Sequence, residues 1–365
     1  MKKTAVLLLV LLLVSSFAFA GGGRQRDDTF RVDVFWYTFA DTFLASVRNA
    51  MVEQGNTMSN LRVTHHDCAE NQATQLQMIE TAITQGTKLL IVNIVTTGSE
   101  DTAMNIVNLA RNANIPIIFF NREVSDAVVR SYANAAFVGT DADEAGVMQG
   151  EAIANFLLRP ANWTGDRSNF DLDGDGVIRY IMLRGEHGNA EAFGRTLYSV
   201  QEANRRLGNR LRLAPSPANE TSTQYANDGI SNFFLYANWS AATASNLMRT
   251  ALTAHSLTTG AIELVIANND DAAIGAIEAM REQGFNTGTG SFIPTFGVDA
   301  TAVAVENIRA GRMTGTVLQD GVAMARVVLE LAQNVANGRH VFADTARHNI
   351  DSGVNKIRIP YAIVE

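Results

Sequence analysis

The sequence has a single cysteine, Cys68, so no disulfide can form within the chain and buried apolar side chains must stabilise the fold. It also lacks an excess of basic residues, because 29 lysines and arginines stand against 37 aspartates and glutamates, for a net charge of −8. An acidic chain without a basic cluster is a poor candidate for binding nucleic acid or an anionic membrane. Hydrophobic residues make up 47% of the 365, enough for large cores, and this length suggests two domains.

Long apolar runs are missing except near the N-terminus. There, two lysines precede an apolar run from Ala5 to Val14, and small residues at Ala18 and Ala20 are typical of a cleavage site. A membrane anchor is disfavoured, because a spanning helix needs about 20 apolar residues and the run has fewer. The pattern predicts a secretory signal peptide over residues 1–20 and export of the mature chain. Gly21 follows, where a lipoprotein would carry cysteine.

Short β-branched runs alternate with amphipathic stretches along the rest of the chain. We predict strands at residues 30–36, 61–64, 89–93, 115–120, 178–183, 264–267 and 294–297. We predict helices at residues 44–54, 71–86, 102–113, 192–207, 241–254 and 272–283. Such alternation is typical of α/β folds with parallel sheets and right-handed crossovers. Residues 211–238 are the least regular, and we expect loop with some helix there.

Polar side chains recur just after the predicted strands, where open parallel sheets bind their ligands. They are Asp41, Asn121, Asn189, Glu191, Arg195, Asn269 and Asp299, with Phe43 and Trp239 as flat apolar faces. A single Asp or Asn at such a place is more often an ordinary turn or N-cap residue. Their recurrence at successive strand ends favours a pocket instead. Carboxylates, amides and a guanidinium suit a neutral polyhydroxyl ligand, because charged groups make short, directional hydrogen bonds to hydroxyls.

Residues 171–179 read Asp-Leu-Asp-Gly-Asp-Gly-Val-Ile-Arg, which is the opening of a calcium loop. Three carboxylates at alternate positions and a glycine at the sharp turn match the oxygen-rich spacing that Ca²⁺ needs. An EF-hand would place a bidentate Glu at the twelfth position, where this chain has Met182. The closing ligand must therefore come from elsewhere in the chain, or the segment is an Asp-Gly turn without a metal.

Several segments together resemble the periplasmic galactose/glucose-binding protein family. The matching segments are residues 37–43, 115–123, 138–141, 262–270, 296–300 and 315–318. Each alone is weak evidence, but their number, order and spacing make the resemblance specific, over nearly all of the mature sequence. It implies a type I periplasmic binding protein: two Rossmann-like lobes with parallel sheets, joined by a three-segment hinge, and sugar in the cleft between them.

The resemblance implies how the chain divides between the lobes. The N-terminal lobe would comprise residues 29–138 and 321–350, and the C-terminal lobe residues 139–319 and 351–365, with the calcium loop at 171–179. The hinge crossings would lie near residues 139–141, 318–320 and 352–356.

The resemblance also implies the ligand sets. Matched residue by residue, Asp41, Asn121, Arg195, Asn269 and Asp299 would bind sugar hydroxyls, and Phe43 and Trp239 would sandwich the ring. Three positions depart from the family pattern: Asn189 replaces a His, Glu191 an Asp and Gln319 an Asn. These changes leave the preferred sugar and its anomer open. The metal ligands would be Asp171, Asp173, Asp175, the carbonyl of Val177, and Glu263.

One further calcium ligand of the family, a side-chain amide, is replaced by Arg179, which cannot coordinate a cation. A structural Ca²⁺ is therefore expected to bind more weakly, or with water filling the gap.

The predicted function is that of a periplasmic, monomeric solute-binding protein and not an enzyme. It would capture D-glucose or D-galactose by cleft closure and deliver it to the membrane subunits of an ABC permease; a chemoreceptor is a second partner that the resemblance allows. A receptor used only in chemosensing, and a binding protein for a related pentose or hexose, stay open as alternatives. A secreted glycoside-acting enzyme is more remote, although Asp41, Glu191 and Asp299 supply carboxylates. A DNA-binding regulator would need an N-terminal helical module where the signal peptide stands.

Overall fold

The computed structural model describes residues 29–214, 220–221, 233–255, 261–288 and 291–365. The predicted signal peptide lies outside these residues. Within them, no helix is both long and apolar enough to cross a membrane.

Strands and helices alternate as the sequence predicted. The strands are β1 (Phe30–Trp36), β2 (Leu61–Asp67), β3 (Leu89–Val92), β4 (Ile117–Phe120), β5 (Ala135–Gly139), β6 (Trp163–Thr164), β7 (Arg167–Ser168), β8 (Ile178–Arg184), β9 (Leu211–Leu213), β10 (Glu220–Thr221), β11 (Phe233–Tyr236), β12 (Leu264–Ala267), β13 (Thr295–Phe296), β14 (Thr316–Gln319), β15 (Asn349–Ile350), β16 (Lys356–Arg358) and β17 (Tyr361–Val364). The helices are α1 (Thr42–Gly55), α2 (Gln72–Thr84), α3 (Glu100–Asn112), α4 (Asp126–Arg130), α5 (Ala142–Leu157), α6 (Ala190–Leu207), α7 (Ala241–Ala254), α8 (Asp270–Glu282), α9 (Ala302–Arg309) and α10 (Gly321–Ala336).

The first lobe is built on a sheet with the strand order β15-β16-β5-β4-β3-β1-β2. Its neighbouring strands are parallel, except that β15 runs antiparallel to β16. Every residue of the apolar strands β3 and β4 is buried, as expected for parallel strands covered by helices on both faces. One continuous core surrounds this sheet and includes apolar residues of α1 and α10.

The second lobe is built on a sheet with the order β10-β11-β8-β12-β13, and β9 pairs with the first half of β8. Isolated bridges from Phe296 to Gly315 and from Asp299 to Leu318 place β14 beside β13, and β17 pairs antiparallel with β14. Separate apolar clusters cover this sheet. The carboxyl ends of its parallel strands carry Asn189, Asn269 and Asp299, the positions where the sequence predicted ligand groups.

The third crossing between the lobes lies later in the chain than the sequence suggested. We expected residues 351–365 in the second lobe, but β16 pairs parallel with β5 in the first sheet, with Lys356 opposite Phe137. Only β17 joins the second lobe, so the crossing falls at residues 359–360. The prediction failed because two of the three residues of β16 are charged. Lys356 is nonetheless buried, because its ammonium donates to a carboxylate oxygen of Glu123 at 2.5 Å.

We also expected some helix within residues 211–238. The described residues of this region form the strands β9, β10 and β11 and contain no helix. Residues 215–219 and 222–232 lie outside the described part of the chain.

Helices α5 and α6 pack closely because glycines line their contact. A Cβ atom at Gly150 would lie 2.4 Å from the carbonyl oxygen of Ser199, and one at Gly146 would lie 2.4 Å from that of Gly194. The backbone of α5 therefore rests directly on the backbone of α6. This contact fixes α6, whose first two turns carry Glu191 and Arg195.

Replacing Gly150 by alanine tests this contact. We expect Gly150→Ala to lower the free energy of unfolding by about 1–2 kcal/mol, because an overpacking cost of about 1–3 kcal/mol exceeds the gain in helix propensity. Gly55→Ala at the end of α1 is the control, since its Cβ would make an ordinary contact at 3.7 Å with Val63. Urea unfolding measures both, and equal midpoints for the two variants would contradict the close packing.

Candidate functional site

A cavity between the two lobes collects all ten side chains that the sequence predicted for ligand binding. The space between its lining atoms, part of which is open to solvent, amounts to about 380 Å³. Its lining includes Asp41, Phe43, Asn121, Asn189, Glu191, Arg195, Trp239, Asn269, Asp299 and Gln319. Tyr37 and Arg122 also line it and were not predicted, although both lie within segments that carry the family resemblance. The role of these side chains in binding stays a prediction.

The first lobe contributes groups held by the end of a helix and the end of a strand. Asp41 caps α1, because its carboxylate accepts the Leu44 N–H at 2.8 Å, and it also accepts the Tyr37 hydroxyl at 2.8 Å. Asn121 follows β4 with a positive φ of 60°, which few residues other than Gly, Asn and Asp adopt readily. Its side-chain oxygen accepts a hydrogen bond from the Asn93 amide at 3.1 Å.

In the second lobe, two asparagines cap helices at the cavity wall. Asn189 accepts the Ala192 N–H at 3.0 Å, and Asn269 accepts the Ala272 N–H at 3.1 Å. Asn269 also donates to the carbonyl oxygen of Trp239 at 3.2 Å. The alternative interpretation of these two asparagines as ordinary N-cap residues is therefore correct. They also line the cavity. Capping uses the amide oxygen of each residue.

Trp239 reaches the cavity because a glycine lies behind it. Trp239 has a φ of 66°, and a Cβ atom at Gly185 would lie 2.3 Å from atoms of the Trp239 ring. Any larger residue at position 185 would displace the indole.

Arg195 stands at the centre of a hydrogen-bond network that joins the three crossings. Its guanidinium donates to the side-chain oxygen of Gln319 at 3.0 Å and to the Tyr361 hydroxyl at 3.1 Å. The Tyr361 hydroxyl in turn donates to the Thr140 hydroxyl at 2.7 Å, and the Gln319 amide donates to the same oxygen at 3.2 Å. Thr140, Gln319 and Tyr361 lie at or directly beside the first, second and third crossings. The guanidinium thus contacts the hinge as well as the cavity.

Thr140 and Tyr361 were missed by the sequence analysis for different reasons. Thr140 directly follows β5, so reading every strand end would have found it. Tyr361 begins a strand of the second lobe, and no local pattern links it to Arg195.

Asp299 completes the charge pattern around Arg195. It lies 3.5 Å from the guanidinium, and both side chains are buried. Burial raises the pKa of Asp299 well above its usual value, and the positive charge of Arg195 opposes this rise only in part. Burial would lower the pKa of Arg195, but the neighbouring Tyr361 and Asp299 outweigh it and raise that pKa. Arg195 therefore favours the charged form of Asp299, but by less than burial disfavours it.

Some buried polar atoms of the cavity have no hydrogen-bond partner among the described residues. Both carboxylate oxygens of Glu191, Nε of Arg195 and Nε1 of Trp239 are in this state. Burial, together with the charge of Glu123, raises the pKa of Glu191. An unsatisfied buried polar group costs about 1–3 kcal/mol. A ligand that donates to Glu191 and accepts from Arg195 and Trp239 would remove this cost, and hydroxyl groups do both.

The two lobes touch across the mouth of the cavity, so this is a closed conformation. Arg122 of the first lobe forms an ion pair with Glu186 of the second, and its guanidinium lies 4.2 Å from the ring centroid of Tyr37. A Cβ atom at Gly98 would lie 2.6 Å from the carbonyl oxygen of Gly188 in the opposite lobe.

The predicted calcium loop lies at the other end of β8, away from the cavity. Carboxylate oxygens of Asp171, Asp173 and Glu263 lie within 4.8 Å of one another, as a shared cation would require. Arg179, however, donates to Asp173 at 2.6 Å and forms an ion pair with Asp175. A cationic side chain inside the ligand ring does not fit the full calcium set that the resemblance implies.

Comparison with known proteins identifies the family. A family model described as "Periplasmic binding protein domain" matches residues 32–340, so the chain belongs to that family. Its members are solute-binding proteins and not enzymes, which confirms the prediction that the chain is not an enzyme. Membership likewise implies a periplasmic protein and confirms the predicted fold of two α/β lobes.

Two curated relatives and one solved structure illustrate the similarity. The chain is 30% identical over 365 residues to the D-galactose/methyl-galactoside binding periplasmic protein MglB of Haemophilus influenzae, covering 100% of this chain and 97% of the relative. It is 25% identical over 279 residues to the D-xylose-binding periplasmic protein of Escherichia coli, covering 76% and 70%. An ABC transporter solute binding protein from Bacillus halodurans with bound myo-inositol has the same fold, with a TM-score of 0.68, 24% identity, and coverage of 93% and 96%.

The glycine behind Trp239 provides a test of the cavity geometry. We expect Gly185→Ala to shift the indole, and so to change the near-ultraviolet circular dichroism and to weaken ligand binding at least tenfold, a loss of about 1.4 kcal/mol. Gly55→Ala is again the control and should leave both signals unchanged. A Gly185→Ala protein with native dichroism and native affinity would show that Trp239 does not depend on this space.

Proposed function

We propose that this protein captures a glucose- or galactose-type monosaccharide between its lobes and delivers it to an ABC sugar permease. The observation that carries the proposal is the set of buried, unpaired groups in one cavity: the carboxylate of Glu191, Nε of Arg195 and Nε1 of Trp239. A monosaccharide supplies hydroxyl donors and acceptors on a small ring. Its C–H faces would lie against the aromatic rings of Phe43 and Trp239.

The energetics are consistent with such a ligand. Binding at about 1 μM requires roughly −8 kcal/mol. Hydrogen bonds to charged groups contribute about 1.5–3 kcal/mol each, and Asp41, Glu191, Arg195 and Asp299 offer such groups. A small hydrophilic ligand buries little apolar surface, so these bonds would supply most of its affinity.

Galactose and glucose are the favoured sugars because the family resemblance is strongest there. The relative that is 30% identical over the whole chain is named for D-galactose and methyl-galactoside. The relative named for D-xylose is less similar and covers less of the chain, so a pentose is the second choice. Asn189, Glu191 and Gln319, which depart from the family pattern, are the positions where the choice between sugars would be made.

Closure would couple binding to transport. The open protein would present Asp41, Phe43 and Asn121 on one lobe, and Arg195, Trp239, Asn269 and Asp299 on the other. The sugar would stabilise the closed form, because only there are all its hydroxyls satisfied. The closed protein, exported by cleavage of the predicted signal peptide and acting as a monomer, would dock on the permease. A chemoreceptor would be a second partner for the same closed surface.

Titration calorimetry tests the proposed ligand. D-glucose or D-galactose should show saturable binding that Trp239→Ala or Asp299→Ala abolishes, because each removes a wall or a charged partner of the sugar. The loss from Asp299→Ala should be at least tenfold, since a charged hydrogen bond contributes about 1.5–3 kcal/mol. The exposed Asp101→Ala on α3 is the control and should bind normally. The absence of heat with every hexose and pentose tried would refute the sugar assignment.

The hinge network predicts a role in binding for Tyr361, although this residue is not among those that line the cavity. Tyr361→Phe removes the hydroxyl that accepts a hydrogen bond from Arg195 and donates one to Thr140. The guanidinium then loses one of the acceptors that hold it in place. We expect sugar affinity to fall by about 5–30-fold, equivalent to about 1–2 kcal/mol.

The control for this variant is Tyr180→Phe, which changes another buried tyrosine, on β8, that does not line the cavity. The Tyr361 variant should bind sugar more weakly than the Tyr180 variant, even if urea unfolds the two variants at the same midpoint. Equal affinity for both variants would show that the network does not position Arg195.

A further inference from the structure

The loop between β7 and β8 is held by a dense set of hydrogen bonds to its own carboxylates. Asp171 accepts the N–H groups of Gly174 at 2.7 Å, Asp175 at 3.1 Å and Gly176 at 3.0 Å. Glu263, which precedes β12, accepts the N–H of Leu172 at 2.6 Å. These bonds shape a turn around a centre of negative charge.

Two strands of the second sheet meet at the same place. Glu263 also accepts the backbone N–H of Arg179 at 2.7 Å, and its own N–H donates to the Arg179 carbonyl at 2.9 Å. The loop is therefore tied to the start of β8 and to the residue before β12. A cation that neutralises the carboxylates of the loop would therefore also stabilise the amino ends of β8 and β12.

The neutralising group in this structure is the side chain of Arg179. One of its terminal nitrogens donates to Asp173 at 2.6 Å, and the other pairs with Asp175. The Arg179 side chain is 21% exposed, so it lies against the loop and does not extend freely into solvent. A guanidinium carries a fixed positive charge and five donors, and has no acceptor that could coordinate a metal.

We infer that Arg179 acts as the resident cation of this loop, so that the native protein keeps the loop folded without a divalent ion. The guanidinium binds two of the carboxylates that a Ca²⁺ ion would need, and its charge repels such an ion. Calcium would enter only if Arg179 swung out, giving up both ion pairs. Replacing this side chain with an uncharged amide should convert the loop into a calcium site.

The experiment compares native protein with Arg179→Gln in 1 mM CaCl₂ and in EDTA, by thermal unfolding and by titration calorimetry with CaCl₂ alone. The native melting temperature should differ by less than about 1 °C between the two conditions. Arg179→Gln should melt lower than native in EDTA and gain about 5 °C or more in CaCl₂, because an ion at 100 times its Kd stabilises the folded state strongly. Calorimetry should show calcium binding at least tenfold tighter in the variant.

Arg249→Gln is the matched control, because Arg249 makes a two-point pair with Glu282 on the surface, at 2.7 Å for both contacts. It loses an arginine–carboxylate pair and should show no response to calcium. Arg179→Lys keeps a positive charge in the loop and should also stay unresponsive.

Two results would overturn the inference. One is a native protein that calcium stabilises by several degrees, which would mean that the ion displaces Arg179. The other is a folded Arg179→Gln protein that ignores calcium. If that variant folds only when calcium is present, the inference is supported. If the variant never folds, the melting temperatures of the native protein in CaCl₂ and in EDTA decide the question. Sugar affinity is a separate readout, because the loop and the cavity lie at opposite ends of β8.

Discussion

A buried guanidinium is the constraint on which the arrangement of the cleft depends. Arg195 is almost fully buried, and an unpaired charge in such a place would destabilise the fold severely. Its donors are used by the Asn268 carbonyl, Gln319 and Tyr361, with Asp299 beside it. These partners all lie in the second lobe, and Gln319 and Tyr361 stand where the chain crosses between the lobes, so the charge is stabilised beside the hinge.

The cavity holds buried polar groups without hydrogen-bond partners among the described residues, and we propose that a ligand satisfies them. Glu191 has no hydrogen-bond partner among the described residues, although its neighbours in the cavity wall are largely paired. Binding sites often keep such unsatisfied groups at a cost to stability. In the proposed function the ligand would satisfy these groups, so the closed form would be more favourable with the ligand than without it.

Much of this could be predicted from the sequence because the fold follows local rules. Buried parallel strands such as β3 and β4 appear as short apolar runs, and polar residues at strand ends meet at one edge of a parallel sheet. The side chains from Asp41 to Gln319 therefore meet in one cavity, as expected. The N-cap interpretation, considered as an alternative for the asparagines, also describes them correctly.

The features that could not be predicted depend on contacts between distant segments. The strand β16 has no apolar run, because Lys356 and Arg358 are charged and are accommodated by Glu123 from another part of the chain. Tyr361 reaches Arg195 only because three crossings converge. The pairing of Arg179 with Asp173 and Asp175 likewise depends on how the loop folds, which residue spacing alone does not determine.

Small-angle X-ray scattering tests the central claim most directly, since that claim is that a monosaccharide draws two hinged lobes together. The radius of gyration of the protein should fall when D-glucose or D-galactose is added at saturating concentration. It should return to the ligand-free value when the sugar is dialysed away. An unchanged radius of gyration with every simple monosaccharide, hexose or pentose, would contradict the account.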